Sequence, residues 1–290
     1  MSQQDATFDP GLLRHFEVGG IHALERPGTG PAVVFLHGIG SNSDSFQALF
    51  NAIPLGARLI AWNAPGYLSS SALDVAFPTA RDYARALTGF LDALGLDQVH
   101  LVGHSLGTLI AAEFALHAPT RIASLTLAAA AQGYEIPAGQ PMPEKVARRL
   151  DDLKALGIAA FAETRAPGLV FEPENNPHVV AQVRAGMERI NPEGYAQAVR
   201  MLASGSLSAM VARLQVKPAF ILGAEDRITP MTQTQAAMDA WAKTHGAVPK
   251  CLTIPGAGHA VYIQAPEAFA AALQRLIPAL NAEAQPFVKG

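Results

Sequence analysis

The chain has 290 residues, 50% hydrophobic, 16% charged and 7% aromatic, with a formal net charge of -3. That composition excludes wholesale disorder, and the length allows one large domain or a domain with an insertion. The slight acidity gives no reason to expect nucleic acid as a partner, and the single cysteine, Cys251, forms neither an internal disulfide nor a cysteine-rich metal site.

Targeting is read next. The N-terminus, Met1-Ser2-Gln3-Gln4-Asp5, is polar and acidic, and no apolar run follows it. A secretory leader is therefore not expected. The apolar stretch 101–118 is interrupted by His104, Ser105 and Glu113, and 122–131 is too short to cross a bilayer of about 30 Å. The expectation is a soluble, cytoplasmic protein with no membrane partner; the sequence assigns no oligomeric state.

In chain order, short apolar runs alternate with helical patterns. Ala32-Val33-Val34-Phe35-Leu36 stops at His37-Gly38-Ile39-Gly40. Arg58-Leu59-Ile60-Ala61-Trp62 stops at Asn63-Ala64-Pro65-Gly66. Further strands are expected at 99–102, 122–127, 219–222 and 251–254. Unbroken apolar runs suit strands buried on both faces of a parallel sheet. Between them, helical spacing predicts helices over 79–94, 106–117, 232–243 and 266–276. This alternation predicts an α/β architecture with helices on both faces of a mostly parallel sheet.

The rhythm breaks between Gly133 and Leu214. Helix-forming windows such as 145–156 and 179–190 occur there, with prolines between them and no β-branched run. The expected organisation is a core part at 1–132, a helical cap insertion at 133–213 and a second core part at 214–290.

The chemistry-bearing motif follows the third strand. Gly103-His104-Ser105-Leu106-Gly107 is G-x-S-x-G between a strand and an apolar helix, the setting of a nucleophile elbow. There Ser105 Oγ stands at the carboxyl edge of the sheet, and Gly103 and Gly107 keep strand and helix from clashing. A serine hydroxyl needs a base and an orienting acid. His259, in Pro255-Gly256-Ala257-Gly258-His259, follows the last strand; Asp226, in Gly223-Ala224-Glu225-Asp226, follows the one before. The order Ser, Asp, His fits this elbow fold. Asp226 competes with its neighbour Glu225 and with a helix-cap role. His104 is read as shaping the elbow, and His37 as bonded within its own loop. The backbone amides of Leu106 and Ile39 are the expected oxyanion donors, with Gly38 and Gly40 letting the second loop approach a ligand.

On these residues the chain resembles the α/β-hydrolase superfamily over nearly its whole length. The resemblance implies an eight-stranded, mostly parallel sheet with a lid over the serine. Within the superfamily, Met187-Glu188-Arg189-Ile190-Asn191-Pro192-Glu193-Gly194-Tyr195 is similar to a cap segment of 3-oxoadipate enol-lactonase-like sequences, and the carbon–carbon hydrolases of aromatic degradation are similar too. Those carbon–carbon hydrolases usually carry Trp directly after the histidine, where Ala260 stands here. Asn63 replaces the acidic residue that many members carry before the Pro or Arg-Gly.

Arg184 is a candidate to grip a substrate carboxylate, competing with a solvated helix position, and Tyr262 is a candidate to face the site. Met142, Phe161, Phe171, Tyr195 and Met201 offer an apolar acyl pocket or the cap's own core. No H-E-x-x-H, paired cysteines or dinucleotide glycine motif occurs, so no metal and no cofactor are expected. The expected activity is cleavage of a small-molecule ester or lactone through an acyl-enzyme on Ser105. The alternatives are carbon–carbon hydrolysis of a vinylogous diketone, cofactor-independent oxygenase or perhydrolase chemistry, and a hydrolase-fold ligand-binding protein.

Overall fold

The computed structural model describes residues 12–281; the N-terminal pentapeptide considered for a leader lies outside them. Eight strands form one sheet in the order β1-β2-β4-β3-β5-β6-β7-β8. They are β1 (Arg14–Val18), β2 (Ile21–Arg26), β3 (Ala32–Leu36), β4 (Arg58–Trp62), β5 (Val99–His104), β6 (Ile122–Ala128), β7 (Pro218–Gly223) and β8 (Cys251–Ile254). β1 and β2 are antiparallel to each other, and β2 is antiparallel to β4; the other neighbours are parallel.

The helices are α1 (Gln47–Ala52), α2 (Ala80–Ala93), α3 (Leu106–His117), α4 (Glu144–Arg165), α5 (Pro177–Met187), α6 (Pro192–Ser204), α7 (Leu207–Val211), α8 (Met231–His245), α9 (Val261–Gln264) and α10 (Pro266–Leu276). The period of two along each strand sorts the core into two layers. Val34, Leu36, Ile60, Trp62, Leu125 and Leu127 join the cluster that holds α2, α3 and α8. Val33, Phe35, Leu59, Ala61 and Ala128 join the cluster that holds α1 and α10. Both faces of the central strands are thus covered, which is why those strands read as continuous apolar runs. α3 is buried along nearly its whole length, between the sheet, α2 and the helices inserted after β6.

The β1–β2 hairpin was not expected as strands. β1 lies at the sheet edge and is mostly exposed, and β2 carries Glu25 and Arg26 into buried positions. Glu25 is neutralised by Arg14 and Arg58, each with a 2.7 Å contact. Arg26 donates to the carbonyls of Phe50, Ile53 and Pro54 at the end of α1, where a cation complements the helix dipole. Burial pulls its guanidinium down to about 10.

Between β6 and β7 the chain holds α4 to α7 and no strand. The two stems of this insertion pair with each other: Glu135 N–H donates to Gly205 O (3.0 Å), Ile136 N–H to Ala203 O (2.9 Å) and Leu207 N–H to Gln132 O (2.9 Å). α4 runs past the expected 145–156 window, with one interruption at Gly157 (φ 72°). α6 starts on Asn191, whose side chain accepts from the amides of Glu193 and Gly194. It docks against the loop after β4 so closely that a Cβ on Gly194 would stand 2.0 Å from Gly66 O.

Candidate active site

The carboxyl ends of β3, β5, β6, β7 and β8 open into one cavity of about 560 Å³, roofed by the inserted helices. This is where an open parallel sheet collects ligands. Ser105 sits in the turn from β5 to α3 with φ 52° and ψ -114°, a strained conformation for a residue with a Cβ. The turn is held by Ser105 N–H on Ala128 O (2.9 Å) and by Thr108, whose amide (3.0 Å) and hydroxyl (2.6 Å) donate to Ser105 O. The motif glycines make the turn possible by size. A Cβ on Gly103 would meet Gly107 O at 2.4 Å, and one on Gly107 would meet Leu36 O at 2.3 Å. Gly38 is less tight, with His104 Nδ1 and Ser105 Cβ at 3.0 Å from its missing Cβ.

Asp226 and His259 meet across the ends of β7 and β8, with His259 Nδ1 donating to Asp226 Oδ2 at 2.9 Å. That bond leaves Nε2 free to accept, and His259 lines the cavity with Ser105. Ser105 Oγ and His259 are not joined by a hydrogen bond here; such contacts often tighten only with substrate bound. The second Asp226 oxygen accepts from the amides of Ile228 (2.8 Å) and Thr229 (2.9 Å), and Thr229 Oγ1 donates to Oδ2 (2.8 Å). Burial opposes ionisation of this carboxyl. The His259 contact and the Thr229 hydrogen bonds outweigh it and hold the acid well below its usual range. Its rival Glu225 accepts from Ala257 N–H (3.1 Å) and so anchors the histidine loop from outside. Asp226 does not cap α8, whose cap position is Pro230.

Among the described residues, the backbone amides of Leu106, first in α3, and of Ile39 have no hydrogen-bond partner. Both residues line the cavity. The Ile39 amide is aimed by its own peptide unit. Ala64 N–H donates to His37 Nε2 (3.0 Å), so the ring carries its proton on Nδ1 and donates to Gly38 O (2.9 Å); Ser41 N–H also donates to that oxygen (3.1 Å). With Gly38 C=O held on one side, the trans peptide presents Ile39 N–H on the other. The Gly40 amide is taken by Tyr67 Oη (3.4 Å), so it is not a free donor. Burial pushes the His37 imidazole down to about 4, keeping it neutral in this task. His104, expected to shape the elbow, bonds through Nε2 to His259 O (2.9 Å), and burial and the neighbouring His259 push it down to about 3.

The two substrate-binding candidates fall outside the main cavity. Arg184 lies on α5, about half exposed and paired with Glu188 at 3.4 Å, so its charge is spent at the surface rather than on a cavity ligand. Tyr262 is buried behind the histidines. Its hydroxyl meets Ser41 (3.1 Å) and Ser45 (2.9 Å), and its ring stacks on Phe46 at 4.3 Å and meets His104 edge-on. It supports the floor of the site. Of the five apolar candidates only Tyr195 reaches the cavity wall; Phe161 and Met201 are core. The wall instead holds residues not singled out from sequence, among them Thr229, Gln233 and three cations, Lys145, Arg149 and Arg165. Among the described residues no cluster of three or more His, Cys, Asp or Glu is placed to hold a metal ion. Among the described residues no helix is long and apolar enough to cross a membrane.

A parallel sheet with a serine on a strained strand-to-helix turn defines the hydrolase class of α/β proteins. The chain belongs to the α/β-hydrolase fold family, whose sequence model matches residues 31–266. It is 29% identical over 218 residues to 2-hydroxy-6-oxo-6-phenylhexa-2,4-dienoate hydrolase of Burkholderia cepacia, covering 72% of this chain and 76% of that one. Among solved structures it is similar to a thermophilic esterase from Thermogutta terrifontis with malate bound (TM-score 0.78, 22% identity, 93% of this chain and 100% of that one). It is also similar to the enol-lactonase from Burkholderia xenovorans LB400 (TM-score 0.77, 19% identity, 91% and 100%). At these identities the structural likeness concerns the fold.

Proposed function

We propose that the chain is a serine hydrolase that cleaves a small carboxylic ester or lactone, with the inserted helices acting as a cap over the reaction. The observation that carries this reading is the paired Asp226–His259 imidazole, with Nε2 free, sharing one cavity with Ser105 and two unpartnered amides. Ser105 Oγ attacks the carbonyl carbon as its proton passes to His259 Nε2. The tetrahedral oxyanion lies against the Leu106 and Ile39 amides, each worth on the order of 3 kcal/mol in such sites. The C–O bond then breaks, and the proton on His259 goes to the leaving oxygen, giving an alcohol and an acyl-Ser105. Water, deprotonated by His259, attacks the acyl carbon and releases the acid and the serine. Asp226 holds the imidazole tautomer and stabilises its cationic form.

The test is labelling with a fluorophosphonate followed by peptide mapping. The expected result is one adduct, on Ser105, absent in His259→Ala. Ser105→Ala should lose 4-nitrophenyl ester turnover with its circular dichroism unchanged; retained turnover overturns the reading. A second reading, carbon–carbon hydrolysis of a vinylogous diketone by the same groups, is favoured by the Burkholderia cepacia relative. It is supported instead if a coloured dienone is bleached by the enzyme while simple esters are not cleaved.

A further inference from the structure

The cavity beside Ser105 is lined by Lys145, Arg149 and Arg165 and by no aspartate or glutamate. All three cations come from α4. Lys145 and Arg149 are four residues apart, so they share one helix face as like charges, an unfavourable pairing when nothing lies between them. Arg148, adjacent in sequence, has the ordinary surface arrangement, paired with Glu144 at 2.6 Å. Lys145 and Arg149 have no ion-pair partner among the described residues. Lys145 Nζ rests over the Tyr134 ring at 4.9 Å, and Arg149 Nε is buried without a hydrogen-bond partner. Arg165 lies over the Phe161 ring and touches Asp152 only at 3.5 Å. Burial lowers the basicity of Arg165; Tyr195 and Asp152 oppose that, and the like charge of Arg149 adds to it. Lys145 is exposed and Arg149 and Arg165 are half-buried, so in a chain of net charge -3 this wall carries a local positive field that solvent partly screens.

Resting on the serine-hydrolase reading, we infer that the cap cations form an anion subsite, selecting substrates that carry a carboxylate or phosphate away from the bond that is cut. An oxyanion there relieves the Lys145–Arg149–Arg165 repulsion and accepts hydrogen bonds from the ammonium and the two guanidinium groups that line the cavity. The planar guanidinium fork suits carboxylate and phosphate oxygens alike. Apolar wall residues such as Leu202, Met187 and Leu169 are left to enclose the connecting chain.

The test compares two esters of equal length, mono-4-nitrophenyl suberate and 4-nitrophenyl octanoate. The expected kcat/KM favours the anionic ester by about 10- to 100-fold, the worth of a charge-assisted hydrogen bond, chiefly through KM. That preference should shrink with added NaCl. Arg149→Gln and Arg165→Gln should each lower the ratio several-fold or more, while Arg148→Gln, the same charge change outside the cavity, should not. Competition by hexanoate and by hexyl phosphate distinguishes carboxylate from phosphate. Equal use of the two esters, or a ratio unmoved by Arg149→Gln and Arg165→Gln, overturns the inference. Calorimetric binding of suberate to the intact wild-type protein, weakened in Arg149→Gln, reads the subsite without turnover; no binding also overturns it. A Ser105 adduct without anion preference removes only this subsite. Suberate binding without any adduct removes the hydrolase reading and leaves the subsite standing.

Discussion

At the scale of single residues, the site depends on which imidazole nitrogen carries the proton. His259 presents Nε2 because Asp226 occupies Nδ1. Asp226→Asn can keep the shape while offering the ring an amide N–H in place of an acceptor, which favours the wrong tautomer. The expected loss in kcat is on the order of ten-thousand-fold, with little change in the thermal midpoint; stopped-flow ester kinetics and calorimetry check the two halves. His37 and His104 are buried and neutral, lowered to about 4 and about 3 from an ordinary 6.5. Unfolding restores their ordinary basicity, so below pH 6.5 the unfolded chain binds more protons than the folded one. Their contribution to stability is therefore present above pH 6.5 and is lost as the pH falls towards 4 and then 3. The slope is roughly 1 kcal/mol per pH unit for each histidine. Asp226 adds its own loss only below its ordinary range, near 4 and lower. Urea midpoints between pH 7.5 and 4.5 should fall, and His104→Gln should flatten the fall. An unchanged slope in that variant counts against a neutral buried His104.

At the scale of elements, backbone clearance decides which glycines are needed. Gly107 lets the start of α3 pass Leu36 O, and a Cβ there would sit 2.3 Å from that oxygen. Gly107→Ala is expected to lower stability by about 1–3 kcal/mol or more and to reduce turnover with it. Gly89, exposed within α2, has nothing within 4 Å of a built Cβ. Gly89→Ala is expected to raise stability by about 0.5–1 kcal/mol, through helix propensity and unfolded-chain entropy. Urea denaturation of the pair gives opposite signs if clearance, not glycine as such, is what matters. The same distinction explains what the sequence showed. Ser105, Asp226 and His259 were legible because each follows an apolar strand within a few residues, and strand ends are fixed locally. The β1–β2 hairpin was not read, although Gly19-Gly20 stands between its strands as a turn signal. Its charged residues look like surface, and only the folded chain supplies the partners that let Glu25 and Arg26 be buried. Arg184 and Arg149 are both arginines within helices. Which of them reaches the cavity depends on how α4 and α5 pack over the sheet, and helical spacing carries no record of that.

At the scale of the whole molecule, the inserted helices and the sheet share the loop that carries His259. Gln264, at the end of α9, accepts through Oε1 from Phe171 N–H (2.9 Å) and Gly258 N–H (3.0 Å), and donates through Nε2 to Phe171 O (2.8 Å). Ala260 N–H donates to Leu169 O (2.9 Å) beside it. One amide side chain thus ties the segment after α4 to the residue preceding His259, while the Gly66–Gly194 contact fixes α6 on the opposite side. Shifts of about 1 Å in a catalytic group cost rate far more than they cost stability. Gln264→Ala frees two partly buried amides and unties the loop from the insertion. Its expected effect is a drop in kcat of about 10-fold or more, with only a few degrees lost from the thermal midpoint. Faster hydrogen exchange at the Gly258 and Phe171 amides should accompany it. Gln264→Glu keeps the Oε1 acceptor for both amides but sets a carboxylate against Phe171 O, so it should recover part of kcat and not all. If Gln264→Ala lowers the midpoint and leaves kcat and the exchange of Gly258 unchanged, Gln264 only cements the insertion to the core. The His259 loop is then positioned by its other contacts, with Glu225, Asp226, His104 and Leu169.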